Sequence, residues 1–312
     1  MSVRPKLGTG FGPGTLGFPT AAELLLFGDR AEDAGFEHFW VNDHMSWIHP
    51  LLDPVVLLSA IAARTSRIGL ATGVYLLPLR SPAATARAFA SLDYLSDGRA
   101  MLGVGIGGEF DEDFAAAGVP IAQRAGRTDA TIRVLRELWN GEPTTLHDKY
   151  FDFDNVQVLP RPVACRVPIV VGGRSEAALS RVAELGDGWM PYLMSPQRVA
   201  MGIARLRELA PDRELRVIAH VFAQFGPDVE SAQEKATRYL SAQYHRDMSA
   251  TVGKCVPCGP IEAVTEQLAG YAIDGVTDVV LRPLSEPDRL LASLDDAAGV
   301  LATWRDEKDG GL

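Results

Sequence analysis

The sequence predicts an α/β protein folded as a (β/α)8 TIM barrel, a closed ring of parallel strands surrounded by helices. Short apolar runs rich in β-branched residues alternate with amphipathic helical patterns along the chain. Eight such alternations in 312 residues agree with the element count and length of this class. A doubly wound open sheet stays as the alternative, because periodicity does not reveal whether a sheet closes. The strand candidates are Lys6–Gly10, His38–Asn42, Ile68–Leu76, Ala100–Ile106, Pro168–Gly172, Gly188–Pro191, Arg216–Phe222 and Val276–Leu281.

Capping residues mark the helix boundaries. Thr20 and Glu23 have the spacing of a capping box at the start of the first helix. Gly35 and Gly186 lie just beyond helical runs, where a left-handed residue is favoured. Three more helix starts combine a cap residue with a proline suited to the first turn: Asp53-Pro54, Ser81-Pro82 and Ser195-Pro196.

Two insertions are expected, after strands 4 and 7 of the barrel. The first contains a helical pattern at Gly126–Trp139 and then an aromatic–polar alternation at Tyr150–Phe153 that is typical of a small hairpin. The second, Asp228–Lys254, is polar and helical. We expect both to fold over one end of the barrel as lids or dimer contacts. Because no repeat or linker interrupts the chain, residues 1–312 are assigned to a single domain.

Composition narrows the function classes. Hydrophobic residues make up 47% of the chain and charged residues 22%, as in a globular protein with a large core. The net charge of −10 argues against binding to nucleic acid or to an anionic membrane. No apolar run is long enough for a membrane span. An N-terminus without an apolar signal core and three cysteines without a disulfide framework predict a cytoplasmic protein.

The stretch from Val167 to Leu179 carries the clearest signal of a binding site. A β-branched run ends in Gly172 and Gly173, and Ser175 then caps an Ala-rich helical segment. Glycines let the backbone approach a ligand, and a helix start offers free N–H groups and a positive dipole end. This corner suits an anion, most often a phosphate, although strand-to-helix turns also contain Gly and Ser for structural reasons alone.

Titratable residues follow the second strand candidate, at the end of the barrel where ligands bind. His44 is suited to moving a proton or bonding a polar ring, and Asp43 to fixing the tautomer of His44. A histidine that only satisfies a loop carbonyl is the structural alternative. His49 lies nearby, but no further ligands follow at metal spacing, so no metal site is predicted.

Glycine and cysteine motifs elsewhere are weaker signals. Gly73, inside the third strand candidate, indicates either a bulge that approaches a ligand or a packing glycine. The run Gly103–Gly108 matches G-x-G-x-x-G, but it follows the fourth strand and precedes four carboxylates, which argues against a dinucleotide fold. Cys255 and Cys258 lack the context of a redox or zinc motif, and we interpret them as part of a loop before the helix at Ile261.

Taken together, these motifs resemble the bacterial luciferase-like superfamily of flavin- and deazaflavin-dependent oxidoreductases, and the resemblance covers nearly the whole chain. It implies a barrel that holds reduced FMN or coenzyme F420 at the C-terminal ends of its strands. The motifs that carry it, in order, are Trp40-Val41-Asn42-Asp43-His44, the stretch from Asp53-Pro54 to Val74, Leu92–Arg99, Leu159-Pro160-Arg161-Pro162, Pro168–Ser175 and Gly186-Asp187-Gly188-Trp189.

The resemblance implies roles for particular residues. Asp43 and His44 resemble the polar pair beside the reactive ring edge, where His44 would assist proton movement or steady an oxygenated flavin. The residues that resemble the phosphate grip are Gly172, Gly173, Arg174 and Ser175. Those that resemble the bulge behind the cofactor ring, often with a non-prolyl cis peptide, are Thr72, Gly73 and Val74. Departures from the family pattern lie at Asp148-Lys149-Tyr150, in the insertion expected to cover the substrate, and at Cys258-Gly259-Pro260.

The resulting hypothesis is an oxidoreductase that acts on a small organic substrate with a flavin-type cofactor, the cofactor supplying the difficult chemistry. Monooxygenation with reduced FMN is slightly favoured over hydride transfer with F420, and either would use a separate flavin or F420 reductase. A flavin-binding subunit without activity is a third alternative, against which the intact Asp43 and His44 argue. A homodimer is expected through Leu51–Ala63 and Ala83–Leu95, which are rich in apolar residues.

Overall fold

The computed structural model describes residues 4–12, 18–47, 49–285 and 287–309. The strands are β1 Lys6–Phe11, β2 His38–Val41, β3 Gly69–Thr72, β4 Tyr75–Leu76, β5 Ala100–Gly105, β6 Thr144–His147, β7 Asp152–Val156, β8 Ile169–Gly172, β9 Gly188–Met190, β10 Arg216–Phe225, β11 Cys258–Gly259 and β12 Asp278–Pro283. The α-helices are α1 Ala21–Ala34, α2 Pro54–Ala62, α3 Pro82–Leu95, α4 Asp111–Ala117, α5 Arg124–Leu138, α6 Glu176–Leu185, α7 Pro196–Leu209, α8 Val229–Tyr244, α9 Ser249–Cys255, α10 Ile261–Ala269 and α11 Leu290–Asp309. Among the described helices, none is long and apolar enough to cross a membrane.

Eight parallel strands close into a barrel. The order is β1-β2-β3-β5-β8-β9-β10-β12, and β12 pairs again with β1, so the ring has no edge. The register places Lys6 opposite Asp278 and Leu7 opposite Val279 at the closure. The predicted barrel is therefore confirmed, and the open sheet is wrong. Because all strands point the same way, their C-terminal ends form one face, called the mouth below.

The packing identifies the side chains that point into the barrel. Successive side chains of a strand face opposite sides, so the position two residues after Ile218 on β10 and after Val280 on β12 also faces inward. These next positions are His220 and Arg282, and Phe222 follows His220. The inward-facing core itself is apolar and consists of Trp40, Ala71, Met101, Val170, Met190, Ile218 and Val280.

Most predicted helix boundaries are confirmed. The capping box of Thr20 and Glu23 is complete, and Gly35 ends α1 in the left-handed conformation. The side chains of Asp53, Ser175 and Ser195 accept backbone hydrogen bonds at the starts of their helices. Two details differ. Ser81 precedes α3 without a capping hydrogen bond from its side chain. Gly186 has φ −83°, so the left-handed conformation expected there is wrong.

The insertion after the fourth barrel strand divides into two parts. Helix α4 reaches the mouth, where Asp113 lines the central cavity. The hairpin of β6 and β7 is formed as predicted, but it packs along α5, where Arg127 lies over the ring of Phe151. Leu146 and Phe153 of the hairpin pack against the outer core. The expectation that the hairpin covers the substrate site is therefore wrong, and α4 takes that place.

The insertion after the seventh barrel strand, α8 and α9, is helical as predicted. It packs on the mouth through an apolar cluster that includes Leu240, Val252 and Phe222. Gln243 and Tyr244, at the end of α8, reach the central cavity. Cys258 lies in the short strand β11, which extends the sheet beside β10, rather than in a loop. Within the described ranges, no His, Cys, Asp and Glu side chains form a metal-binding group.

Candidate functional site

A cavity opens at the mouth of the barrel. One wall is made by backbone, because glycines from three strand ends line it: Gly73, Gly105, Gly107, Gly108, Gly172 and Gly173. The opposite wall carries aromatic and histidine side chains: His44, Trp47, Tyr192, His220, Phe222 and Tyr244. A cavity with a bare backbone wall and an aromatic wall suits a flat, ring-containing ligand.

The bare wall is organised around Val74. The third predicted strand is split, because β3 ends at Thr72 and β4 begins at Tyr75, with a cis peptide bond between Gly73 and Val74. A Cβ at Gly172 would lie 2.7 Å from the Val74 side chain, so glycine is required for this close packing. Thr72 is fully buried, and its hydroxyl donates to the Gly103 carbonyl at 2.9 Å. Thr72 thus joins two strands below the cavity, whereas Gly73 and Val74 line it.

His44 is held by a carboxylate that the sequence interpretation did not select. Its Nδ1 lies 2.7 Å from Oδ2 of Asp113 at the start of α4. The other oxygen of Asp113 accepts hydrogen bonds from the backbone amides of Met45 and Ser46. Burial by itself would raise the pKa of Asp113, but these hydrogen bonds and that from His44 lower it. Asp113 is therefore an anionic acceptor, which places the proton of neutral His44 on Nδ1 and leaves Nε2 with a lone pair.

Trp47 fixes the plane of the His44 ring. The two rings are stacked with centroids 4.0 Å apart and an interplanar angle of 23°. Phe110 meets both rings edge-on and closes the aromatic group. The side chain of His44 is mostly buried, with 14% exposed. Its ring therefore has a defined tautomer and a defined orientation beside the cavity.

Asp43 has a different partner from the one expected. Its carboxylate forms a two-point ion pair with Arg80 at 2.6 and 2.8 Å and accepts the Leu76 amide at 2.8 Å. Burial alone would lower the pKa of Arg80, but the charge of Asp43 and the hydrogen bonds to it raise it. The expectation that Asp43 fixes the tautomer of His44 is wrong, since Asp113 holds that ring. Asp43 instead anchors the segment that follows the Gly73–Val74 bulge.

Of the four residues predicted to bind a phosphate, the turn after β8 places two in the lining of the cavity, whereas Arg174 borders a neighbouring cavity and Ser175 starts the helix that follows. Gly172 and Gly173 line the cavity, and Gly173 has φ 147°, a conformation that favours glycine. Ser175 is exposed and accepts the Ala178 amide, which starts α6 beside the rim. Arg174 lies over the ring of Tyr192, 4.7 Å from its centroid. A helix start, a glycine turn and a cation thus meet at one edge of the cavity.

Sequence reasoning missed further cavity residues. The hydroxyl of Tyr192 donates a hydrogen bond to the Glu109 carboxylate at 2.8 Å. This bond connects the segment after β9 to the residues just before α4. His220 is 6% exposed, and its Nδ1 has no hydrogen-bond partner. Burial and the charge of Arg282 lower the pKa of His220 to about 3, so its ring is neutral. The available signal was a polar residue at an inward position of an otherwise apolar strand.

The closed barrel and the cavity at its mouth define a (β/α)8 protein with a candidate ligand-binding site at the C-terminal ends of its strands. A family model described as luciferase-like monooxygenase matches residues 3–278. The chain therefore belongs to the luciferase-like monooxygenase family.

Relatives and solved structures agree with this assignment. An F420-dependent glucose-6-phosphate dehydrogenase of Kineococcus radiotolerans is 33% identical over 190 residues, 57% of this chain and 56% of the relative. An uncharacterized Mycobacterium tuberculosis protein is 36% identical over 160 residues, 51% of this chain and 54% of its own length. The chain thus spans about half the length of these relatives. Another uncharacterized protein of that organism is 29% identical over 90% of both chains.

Among solved structures, an F420-dependent secondary alcohol dehydrogenase in complex with an F420–acetone adduct superimposes with a TM-score of 0.83 at 19% identity, over 96% of this chain and 98% of that one. Monooxygenase RslO1 from Streptomyces bottropensis has a TM-score of 0.80 at 23% identity, over 96% of this chain and 99% of that one. At these identities the likeness concerns the fold.

Proposed function

We propose that this protein is an F420-dependent oxidoreductase that moves a hydride between the deazaflavin and a small hydroxyl or carbonyl substrate. The observation that carries the proposal is the bond of His44 to Asp113 at the cavity, which provides an oriented proton acceptor. Relatives named as F420-dependent support the choice of cofactor. Monooxygenation with reduced FMN is the second candidate, and the description of the matching family model supports it.

The residues present fit such a cofactor. The glycines that line the cavity around Val74 have no side chains, so a flat ring would have access to the backbone there. Gly173, Arg174 and the start of α6 would hold its phosphate through amide groups, a cation and the helix dipole. The bound deazaflavin would supply a carbon that accepts or returns the hydride.

His44 would handle the coupled proton. With Nδ1–H donated to Asp113, the Nε2 lone pair is available to accept the hydroxyl proton of an alcohol as its hydride leaves. Asp113 stabilises the resulting imidazolium, and Trp47 keeps the ring in place during the transfer. In the reverse direction, the same nitrogen returns the proton to the carbonyl oxygen. The aromatic side chains that line the cavity would exclude water from the edge of a bound ring.

The proposed cofactor is tested by two experiments. In the first, the purified protein is titrated with F420 and with FMN, and binding is monitored by fluorescence. In the second, the protein loaded with each cofactor is mixed with a panel of secondary alcohols in the absence of oxygen. We expect tighter binding of F420 and reduction of F420 by at least one alcohol. Binding of FMN alone, with oxygen-dependent product formation from reduced FMN, would reject hydride transfer and favour the second candidate.

Ser175→Asp is expected to weaken cofactor binding by about tenfold or more, because it places a negative charge at the phosphate turn. Asp is also a good N-cap, so α6 should keep its cap and the melting temperature should stay near the wild-type value. The matched control is Ser195→Asp, which makes the same change at the start of α7. Equal cofactor affinity in Ser175→Asp and wild type would contradict the phosphate assignment.

We propose in addition that the protein forms a homodimer through α2 and α3. Val56 on α2 and Leu95 on α3 each expose 66% of their surface, although both are large apolar residues. Val56→Asp should halve the mass measured by light scattering from about twice 33.6 kDa to that of a monomer. Met201→Asp on α7 is the control, since Met201 is equally exposed at 66%. A wild-type protein of 33.6 kDa at micromolar concentration would exclude the dimer.

A further inference from the structure

Arg282 is a buried cation at the mouth that has no carboxylate partner among the residues that the structure describes. It occupies an inward position of β12, is 3% exposed, and its Nη1 has no hydrogen-bond partner. Removing an unpaired charge from water is costly, so buried cations in proteins are normally paired with an anion.

The fold keeps space for the guanidinium group. Gly12 follows β1, and a Cβ at this position would overlap the Arg282 guanidinium. The glycine therefore leaves the space that the Arg282 side chain occupies. On the other side, the guanidinium lies 4.9 Å from the ring centroid of Phe222. A second cavity borders Arg282, and the residues described around it include the hydroxyls of Ser285 and Ser293 but no carboxylate.

Arg282 is adjacent to the cavity of the proposed cofactor. Phe222 and His220 line that cavity, and Phe222 stands opposite Arg282 in the register of β10 and β12. His220 also has an unpartnered Nδ1, and Arg282 is near enough for its charge to act on His220. Two buried nitrogens without hydrogen-bond partners among the described residues, Nδ1 of His220 and Nη1 of Arg282, therefore lie on the β10 and β12 side of the cavity. His220 lines the cavity, and Arg282 lies behind Phe222.

We propose that Arg282, with His220 beside it, binds a carboxylate of the substrate, so that the enzyme acts on small hydroxy or oxo acids. This inference rests on the proposed function and specifies its substrate class. The carboxylate would neutralise Arg282 through charge-assisted hydrogen bonds to Nη1, and His220 would contact the same end of the substrate as a neutral group. The hydroxyl or carbonyl carbon would then extend toward His44 across the cavity.

The test is calorimetric binding of simple anions to the full-length protein, with and without cofactor. Acetate and benzoate are the carboxylate probes, acetamide and benzamide are their neutral counterparts, and inorganic phosphate and methanesulfonate represent other anions. We expect the carboxylates to bind and the amides not to bind. Arg282→Met should weaken carboxylate binding at least about tenfold, as loss of a buried charge-assisted contact does. Arg289→Met, a change at an exposed arginine on the same side of the fold, should bind as wild type.

Arg282→Met should also raise the melting temperature of the ligand-free protein, because an apolar side chain replaces an unpaired buried charge. Gly12→Ala supplies a second variant that displaces the guanidinium without removing it, and it should also weaken carboxylate binding. Absence of binding by every anion, equal affinity in Arg282→Met, or tighter binding of phosphate than of carboxylate would overturn the proposal. Since these measurements include the cofactor-free protein, they are independent of whether F420 or FMN binds.

Discussion

Replacement of His44 by Ala is expected to lower turnover by about 100-fold or more, while cofactor affinity stays near the wild-type value. In the proposed mechanism the His44 ring is the proton acceptor, held by Asp113 and Trp47, and a positioned acid–base group typically contributes 10²–10⁴-fold. Turnover is measured with an alcohol that the wild-type enzyme oxidises, and cofactor affinity by fluorescence titration. His147→Ala, in the exposed hairpin, is the matched control. Turnover within about twofold of wild type would assign His44 a structural role.

The role of Asp113 is tested by Asp113→Asn. The amide oxygen can still accept the Met45 and Ser46 amides, but its NH2 group would then face Nδ1 of His44. His44 would have to accept at Nδ1 and carry its proton on Nε2, the wrong tautomer for a base. We therefore expect kcat to fall by about tenfold or more with little change in KM. A wild-type pH–rate profile with unchanged kcat would remove Asp113 from the mechanism.

The protein is expected to lose stability in mild acid because of His220. In the folded state its pKa is lowered to about 3, whereas an unfolded histidine binds a proton below about pH 6.5. Between these values the unfolded chain binds more protons, so stability present at neutral pH is lost as the pH falls. With the pKa of His220 lowered to about 3, the linkage amounts to about 2 kcal/mol between pH 7 and pH 5.

Urea unfolding of wild type and His220→Asn at pH 7 and pH 5 measures how much of the loss of stability in acid comes from His220. The amide of Asn can occupy the position of Nδ1 without titrating, so the variant should lose less stability on acidification than wild type. His147→Asn is a control with the opposite sign, because Asp152 and Asp154 raise the pKa of His147. Equal acid sensitivity of His220→Asn and wild type would mean that His220 is not the responsible group.

The barrel was predictable because its signals are local. Strand and helix periods, the capping box at Thr20 and the caps at Asp53 and Ser175 depend on residues close in the chain. Predictions from local sequence were wrong where tertiary packing determines the backbone conformation. Gly186, for example, ends its helix in an extended conformation because the chain enters β9 directly. The division of the third strand at Gly73 likewise follows from the fit of Val74 against glycines of other strands.

The site was predictable only in part. The glycine turn at Gly172 and the position of His44 were visible, because each follows a strand and barrel ligands bind where strands end. Asp113 lies 69 residues from His44 in the sequence, so no local pattern links its carboxylate to that ring. Neighbouring Asp43 was the natural partner by sequence, yet the side chain turns to Arg80.

The sequence by itself determined the fold class, the family and the strand ends at which the site is built, because these depend on hydrophobic period, caps and motifs read along the chain. The tertiary structure alone decided which polar groups are paired. It pairs His44 with Asp113 and Asp43 with Arg80, and among the described residues it leaves Nδ1 of His220 and Nη1 of Arg282 without hydrogen-bond partners. The physical reason is that the energy of a buried polar group depends on the atoms that surround it, and closure of the barrel brings those atoms from distant parts of the chain.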